Sequence, residues 1–204
     1  VKPIDNLSLY TAWSVSYLPA SGDQFSAFNT STIILEPQRF ENAEVGAKWN
    51  INPRLLWTAA AYQLLRANVP INLGGTLGSI PGGAQIIRGF ETALTGYITP
   101  EWQSVLGYAY TDARISKDLT APNAALPIVA GNRIQLVPYN QVSLWNKYQF
   151  TPTWAAALGV IYFSDSFASS DDSVRLPSFV RVDAAVYAKI DEMWRVQLNV
   201  ENLF

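Results

Sequence analysis

The chain has 204 residues, of which 15% are charged and 13% are aromatic, and its formal net charge is −2. It contains no cysteine and no histidine, which excludes disulfides, thiolate metal sites, cysteine nucleophiles and most mechanisms that need an imidazole. Soluble domains have about 25% charged residues, and a nucleic-acid binder needs a basic surface. The composition therefore suits a protein with one polar side and one lipid-facing side better than a water-soluble enzyme or a nucleic-acid binder.

Nine stretches of the chain alternate polar and apolar residues with the period of two that predicts β-strands. In chain order they lie near residues 7–17, 40–51, 55–66, 86–98, 102–114, 139–150, 154–165, 178–190 and 194–204. The phase of the stretch at 55–66 is ambiguous, because both of its faces contain apolar residues. The chain is therefore predicted to be all-β.

The last two predicted strands show the alternation most clearly. Between residues 180 and 190 the even positions are all apolar, whereas the odd positions include Arg181, Asp183 and Lys189. Between residues 194 and 201 the charged and amide side chains again share one face. Because Lys or Arg facing lipid near the membrane midplane costs roughly 2–4 kcal/mol, the uncharged face is predicted to contact lipid.

Connections between the predicted strands fall into two classes that alternate along the chain. Tight turns are predicted at Pro53, Pro100, Pro152 and Asp191, and long connections near 18–39, 67–85, 115–138 and 166–177. Aromatic residues flank each tight turn, as in "WNINPRLLW" and "YQFTPTW". Short turns at one end, long loops at the other and aromatic girdles are typical of a transmembrane antiparallel β-barrel. A soluble β-sandwich is the alternative, and it does not explain why all the long connections fall at one end.

Two loops contain patterns that could be mistaken for binding sites. The Gly-rich stretch 72–85 lacks the Gly-Lys-Ser/Thr ending of a phosphate-binding loop. The uncharged run 67–87 has the length of a spanning helix, but its five Gly and two Pro predict a loop. The Ser- and Asp-rich stretch 165–173 lacks the ligand spacing of a calcium-binding EF-hand. We therefore predict no metal site, no resident cofactor and no catalytic site.

Candidate ligand-binding residues are the polar and aromatic side chains that loops could turn toward a cavity. They are Gln24, Phe25, Arg66, Arg88, Asp112, Arg114, Arg133 and Arg175. Five of these eight are arginines, which suits an anionic ligand because guanidinium groups form charge-assisted hydrogen bonds. The alternative is that these side chains hold loops to one another or contact lipopolysaccharide phosphates.

Several long stretches resemble the C-terminal part of the barrel of TonB-dependent siderophore receptors. They include "QIIRGFETALTGYITPEWQSVLGYAYTDARI", "LPSFVRVDAAVYAKI" and "RVQLNVENLF". The stretch "YLPASGDQFSAFNTSTIILEPQRFENAEVGAKWNI" is most similar to the catecholate-siderophore branch. The resemblance implies a plugged barrel of 22 strands in the bacterial outer membrane, a monomer that imports ferric siderophores with energy passed from TonB. Residues 1–204 would be the C-terminal part of that barrel domain, about nine strands, without the plug domain and the final strand.

Two classes of function remain open at this point. The first is an energised importer that binds a ferric siderophore, contacts outer-membrane lipid and lipopolysaccharide, and reaches the TonB complex through its plug. The second is a passive outer-membrane channel, or an adhesin or phage-docking protein anchored by a barrel. A plug domain encoded upstream would decide for the first class. An outer-membrane hydrolase is disfavoured because the chain has no histidine.

Overall fold

The computed structural model describes residues 1–19, 36–72, 79–118 and 127–203, and this part of the chain is built from β-strands. The strands are β1 Leu7–Leu18, β2 Gln38–Asn52, β3 Leu55–Asn72, β4 Ser79–Tyr97, β5 Trp102–Lys117, β6 Asn140–Gln149, β7 Trp154–Phe163, β8 Ser166–Phe167, β9 Arg175–Leu176, β10 Phe179–Lys189 and β11 Arg195–Val200. Within the described ranges there is no helix with the length and apolarity needed to cross a membrane.

Nine of the strands form one antiparallel sheet in which neighbours along the chain are neighbours in space. Its order is β1-β2-β3-β4-β5-β6-β7-β10-β11, and the two-residue strands β8 and β9 form a separate small hairpin. All nine predicted strands are confirmed within a few residues, except that β3, β4 and β5 extend further than predicted and β11 ends at Val200. The sheet is open, because β1 and β11 are its two edges.

The predicted loop at 67–85 is wrong over most of its length. Strands β3 and β4 continue into it and stay paired as far as Asn72 and Ser79. The pairing shifts register on both sides of Val69, next to Asn68 with its φ of 57°. Asn tolerates this left-handed conformation, and a β-bulge also accommodates the nearby proline. The Gly and Pro residues therefore mark irregular pairing in a long hairpin, not the end of the strands.

The strand register divides the sheet into two faces, since directly paired residues lie on the same face. One row of paired residues runs from Ser8 on β1 through Lys48, Thr58 and Ser143 to Arg181 on β10. Members of this row line a concavity of about 690 Å³, and we call this face the inner face. The opposite face, with the apolar residues of β10 and β11, is the outer face. The predicted phase of these two strands is confirmed, because their charged residues lie on the inner face.

Aromatic side chains on the outer face lie near the strand ends that are joined by the tight turns, here called the turn end of the sheet. Trp49 and Trp57 are directly paired across β2 and β3, with their rings edge to face at 6.5 Å. Trp102 donates from Nε1 to Asn146 Oδ1 at 3.0 Å. Trp154 is also exposed on this face. An amphipathic aromatic side chain of this kind suits the boundary between lipid and water. The pairing of Trp57 with Trp49 fixes the phase of β3, which the sequence left ambiguous.

Each tight turn is closed by a short polar side chain that accepts hydrogen bonds from backbone N–H groups two or three residues later. Asn52 Oδ1 accepts from Arg54 N at 2.8 Å, and Thr151 Oγ1 accepts from Trp154 N at 2.9 Å. Asp191 Oδ1 accepts from two backbone N–H groups, at 2.8 and 2.7 Å. Such local hydrogen bonds replace the bonds between strands where the chain reverses. Because Asn, Thr and Asp are the residues that form them, the sequence predicts the positions of these turns.

Candidate functional site

The inner face is a polar wall with mixed charge. Tyr10 donates its hydroxyl hydrogen to Glu44 Oε1 at 2.6 Å, and the Lys48 ammonium group lies 5.5 Å from the centroid of the Tyr10 ring. Glu91 lines the same concavity. Further along the sheet, the Lys147 ammonium group lies 4.2 Å from the centroid of the Tyr187 ring. These side chains carry both signs of charge, with no excess of one.

Arg66 lies on the inner face near the strand ends opposite the tight turns, here called the loop end of the sheet. It is paired across the strands with Phe40 on one side and Gln85 on the other. Its Nε donates to Gln38 Oε1 at 2.8 Å, its Nη2 donates to the same oxygen, and its Nη1 donates to Gln85 Oε1 at 3.1 Å. The guanidinium carbon lies 5.4 Å from the centroid of the Phe40 ring. Arg66 is therefore held in place by neutral groups.

Arg133 is nearly buried, with 8% of its surface exposed, and it joins two connections at the loop end. Its guanidinium donates to Asp165 Oδ2 at 3.3 Å and to the carbonyl oxygens of Val137 and Asp165. The Tyr139 ring lies 3.9 Å from the guanidinium carbon, and the Phe167 ring lies 5.3 Å away. The guanidinium is thus in contact with rings and with loop acceptors, which is the geometry of a structural anchor.

Arg175 reaches the same carboxylate from the solvent side. Its Nε donates to Asp165 Oδ2 at 3.1 Å, and 68% of its side chain is exposed. The hydrogen bond from Arg175, followed by that from Arg133, lowers the pKa of the Asp165 carboxyl below its ordinary value. The structure therefore brings these two predicted arginines together, but through an acidic residue that the sequence did not single out.

Arg88 and Arg114 lie on the outer face. Arg88 is paired across the strands with Asp112 and donates from Nε to Gln63 Oε1 at 2.9 Å. Arg114 donates to Asp112 Oδ1 at 2.8 Å and to the Tyr139 hydroxyl at 2.7 Å. The register puts them on the same face as the exposed rings of Phe90 and Tyr110, just beyond those rings toward the loop end. They cannot line one cavity together with Arg66.

The strands therefore do carry charged residues on the outer face, but only near the loop end. Arg39 on β2 forms an ion pair with Glu41 at 2.7 Å on this face, two strands away from Arg88 on β4. The outer charges are paired and partly exposed near the loop end, away from the midplane where a charge facing lipid costs most.

Gln24 and Phe25, the other two predicted binding residues, lie outside the described residues, so their role stays a prediction. Sequence reasoning missed Gln38 and Gln85 as partners of Arg66, and Asp165 as the partner of Arg133. The glutamines do fall on the polar phase of their strands, but only the register shows that they meet one arginine. Across the described ranges no group of three or more acidic residues could hold a metal ion.

Comparison with known proteins gives concordant matches over almost the whole chain. The family model for the β-barrel of TonB-dependent receptors matches residues 1–203. The chain is 27% identical over 212 residues to a probable TonB-dependent siderophore receptor, PiuA of Acinetobacter baumannii, and it covers 28% of that protein. It is 28% identical over 214 residues to the catecholate siderophore receptor Fiu of Escherichia coli K12, of which it covers 27%.

Solved structures of the same two receptors superpose on the chain. The crystal structure of PiuA matches 99% of this chain and 30% of its own chain, with a TM-score of 0.88 and 27% identity. The closed form of Fiu matches 98% of this chain and 29% of its own, with a TM-score of 0.81 and 26% identity. The chain thus spans less than a third of the length of these relatives.

Proposed function

The chain belongs to the TonB-dependent receptor β-barrel family, and from this premise we propose that the whole protein is a receptor that imports ferric siderophores. The chain is part of an outer-membrane β-barrel. The observation that carries the proposal is that similarity to two named siderophore receptors runs along all nine strands. Both relatives are named as receptors, so the proposed activity is transport and not catalysis.

The proposed domain organisation follows from the open sheet and from the lengths of the relatives. Residues 1–204 form part of the barrel domain, toward its C-terminal end, and the strands that pair with the edges β1 and β11 come from the rest of the protein. A plug domain, which contacts TonB, also lies in that remainder. The whole barrel is proposed to act as a monomer, because a closed barrel has no free edges.

The proposed substrate class is the ferric catecholate siderophores, supported by the similarity to a catecholate receptor and by the arginines of the loop end. Such chelates are anionic, and cationic groups around an entrance concentrate anions by Coulomb attraction. Of the predicted binding residues, Arg175 has a well exposed guanidinium group, and Arg66 is partly buried but held by neutral groups that do not cancel its charge. Gln24 and Phe25 remain candidates. Arg133 contributes indirectly, because it holds the loops in position.

The experiment uses the full-length protein in cells that lack their other siderophore receptors. Iron-starved cells are grown on ferric complexes of catecholate, hydroxamate and carboxylate type, with and without TonB, and binding of the radiolabelled complexes is measured. TonB-dependent growth on a catecholate complex is the expected result. Growth that is independent of TonB would favour a passive channel. If no complex binds, the receptor proposal fails and an adhesin or phage-docking role becomes the better explanation.

The proposal extends to lipopolysaccharide as a partner of the outer face. Arg88 and Arg114 lie just beyond the outer aromatic residues, at the height where phosphate groups of the outer leaflet would lie, and arginine binds phosphate in a bidentate manner. Replacing both by Gln is expected to reduce the lipopolysaccharide that copurifies with the barrel, measured as bound phosphate. The control Arg54→Gln, at a tight turn, should leave it unchanged. Equal retention in both variants would refute this partner.

A further inference from the structure

Arg66 differs from most of the other described arginines in the groups that hold it. Five other arginines of the described ranges form ion pairs with carboxylates: Arg39, Arg114, Arg133, Arg175 and Arg181. The acceptors of Arg66 are instead the amide oxygens of Gln38 and Gln85. A neutral acceptor fixes the guanidinium without cancelling its charge, so the charge of Arg66 remains available to a ligand.

The hydrogen-bond count of Arg66 leaves donors free as well. A guanidinium has five N–H donors. One on Nε and one on Nη2 are used by Gln38, and one on Nη1 is used by Gln85. One donor on each terminal nitrogen therefore has no acceptor within the described part of the chain. Two such donors match a ligand that offers two oxygen atoms, such as a carboxylate or a catecholate.

The two glutamines make this arrangement rigid. Both are buried, and a buried amide is stable only where its polar atoms are hydrogen bonded. The Phe40 ring lies against the guanidinium carbon at 5.4 Å and limits rotation of its plane. Because the donors are already fixed in position, little side-chain entropy would be lost when an anion binds.

The position of Arg66 on the sheet also suits a ligand. It lies on the same face as Ala60, which lines the inner concavity, and six residues further toward the loop end. At about 3.3 Å per residue this separation is roughly 20 Å along the strand. A group at this position would meet an anion that moves from the loops into the barrel interior.

We propose that Gln38, Arg66 and Gln85 form an oxyanion-binding site on the inner wall, which contacts the ligand oxygens of a ferric siderophore as it enters. This inference rests on the proposed function and adds to it a position and a chemistry. The site recognises the negatively charged oxygen atoms of the chelate, which accept its hydrogen bonds. It does not contact the iron, because those oxygen atoms already surround it.

The test changes the charge of the site while keeping its shape. In the full-length protein, Gln38→Glu replaces an amide oxygen by a carboxylate of the same size, so Arg66 stays in place but its charge is cancelled. Binding of the ferric complex of 2,3-dihydroxybenzoate should weaken about tenfold, since one attractive charge is lost. The weakening of binding by added salt should also be smaller than in the wild type. Gln85→Glu should behave in the same way.

The matched control is Gln63→Glu, which makes the same chemical change beside Arg88 on the outer face. It should bind the complex as the wild type does. Assembly of each variant is checked by heat-modifiability on gels. If assembled Gln38→Glu and Gln85→Glu bind like the wild type, or if Gln63→Glu weakens binding equally, the site is refuted while the receptor proposal stands. If the wild-type protein itself binds no ferric complex, both proposals fail.

Discussion

The arginines at the loop end show how one residue type takes different roles according to the groups beside it. Arg133 lies near two aromatic rings and beside Asp165, Arg66 is held by neutral amides, and Arg88 faces outward. The sequence predicts that these are cations near loops, but it does not reveal their partners. The partner of Arg133 is 32 residues away along the chain, so only the folded structure identifies this arginine as an anchor.

Removing the anchor should loosen both connections that it joins. Arg133→Gln removes one of the two arginine donors to the Asp165 carboxylate and the guanidinium donor to the Val137 carbonyl, and a lost bond of this kind at a buried position costs about 1–3 kcal/mol. Faster cleavage of residues 127–139 and 164–178 by protease on whole cells is the expected outcome. The matched control is Arg175→Gln, which removes the exposed partner of the same carboxylate and should change cleavage far less. Similar cleavage of both variants would show that Arg133 is not an anchor.

The same contact should depend on pH in a defined direction. The hydrogen bonds from Arg175 and Arg133 lower the pKa of Asp165. A lowered pKa means that the carboxylate stabilises the folded loop above its unfolded pKa of about 3.9, and that this contribution is lost as pH falls through the folded value. Loop protection against an acid protease should therefore be constant between pH 7 and pH 5 and should fall below about pH 4.

The neighbouring carboxyl of Asp171 also titrates in acid, and hydrogen bonds from Ser169 and Ser173 lower its pKa. It therefore adds to the pH dependence of the loop. Asp165→Asn isolates the contribution of Asp165. In this variant the loop should already be less protected at pH 5, and protection should change less on acidification. If Asp165→Asn and the wild type show the same protection across the whole range, the ion pair has no stabilising role.

At the scale of the strands, the sequence predicts side-chain direction better than it predicts strand ends. The charged face of β10 and β11 follows directly from a period of two, and lipid permits no exception near the midplane. The hairpin β3–β4 was underestimated because Gly and Pro were interpreted as loop signals. The part of this hairpin beyond Arg66 is stabilised by pairing between the two strands. The residue pattern within either strand alone does not reveal this pairing.

Adjacent residues on β6 provide a matched test of the two faces. Leu144 lies on the outer face of this central strand, and Ser143 lines the inner concavity. Leu144→Arg should cost roughly 2–4 kcal/mol because the charge would face lipid near the midplane, whereas Ser143→Arg should be much milder because its side chain reaches water. The measurement is the fraction of heat-modifiable, correctly assembled barrel. Equal assembly of the two variants would contradict the assigned faces.

At the scale of the whole molecule, the sheet separates three environments. The turn end carries tight turns and aromatic rings, the middle of the outer face is apolar, and the loop end carries paired charges on both faces. The composition and the alternation of short and long connections predict this arrangement, because each environment selects its own residue types. The candidate site is less predictable, since Arg66 acquires its neutral partners from β2 and β4 through pairing that a single sequence does not specify.

This arrangement makes a final prediction about orientation in the outer membrane. In barrels of this kind the short turns face the periplasm and the long loops face the outside. Val174, between β8 and β9, and Met193, in the last tight turn, are both well exposed, at 55% and 86%. The chain has no cysteine of its own, so Val174→Cys and Met193→Cys each add a single reporter to it. On whole cells an impermeant maleimide should label Val174→Cys and spare Met193→Cys, and permeabilised cells should show both labelled. Labelling of Met193→Cys alone on whole cells would show that the barrel has the opposite orientation. The loop-end arginines could then not meet a ligand that arrives from outside.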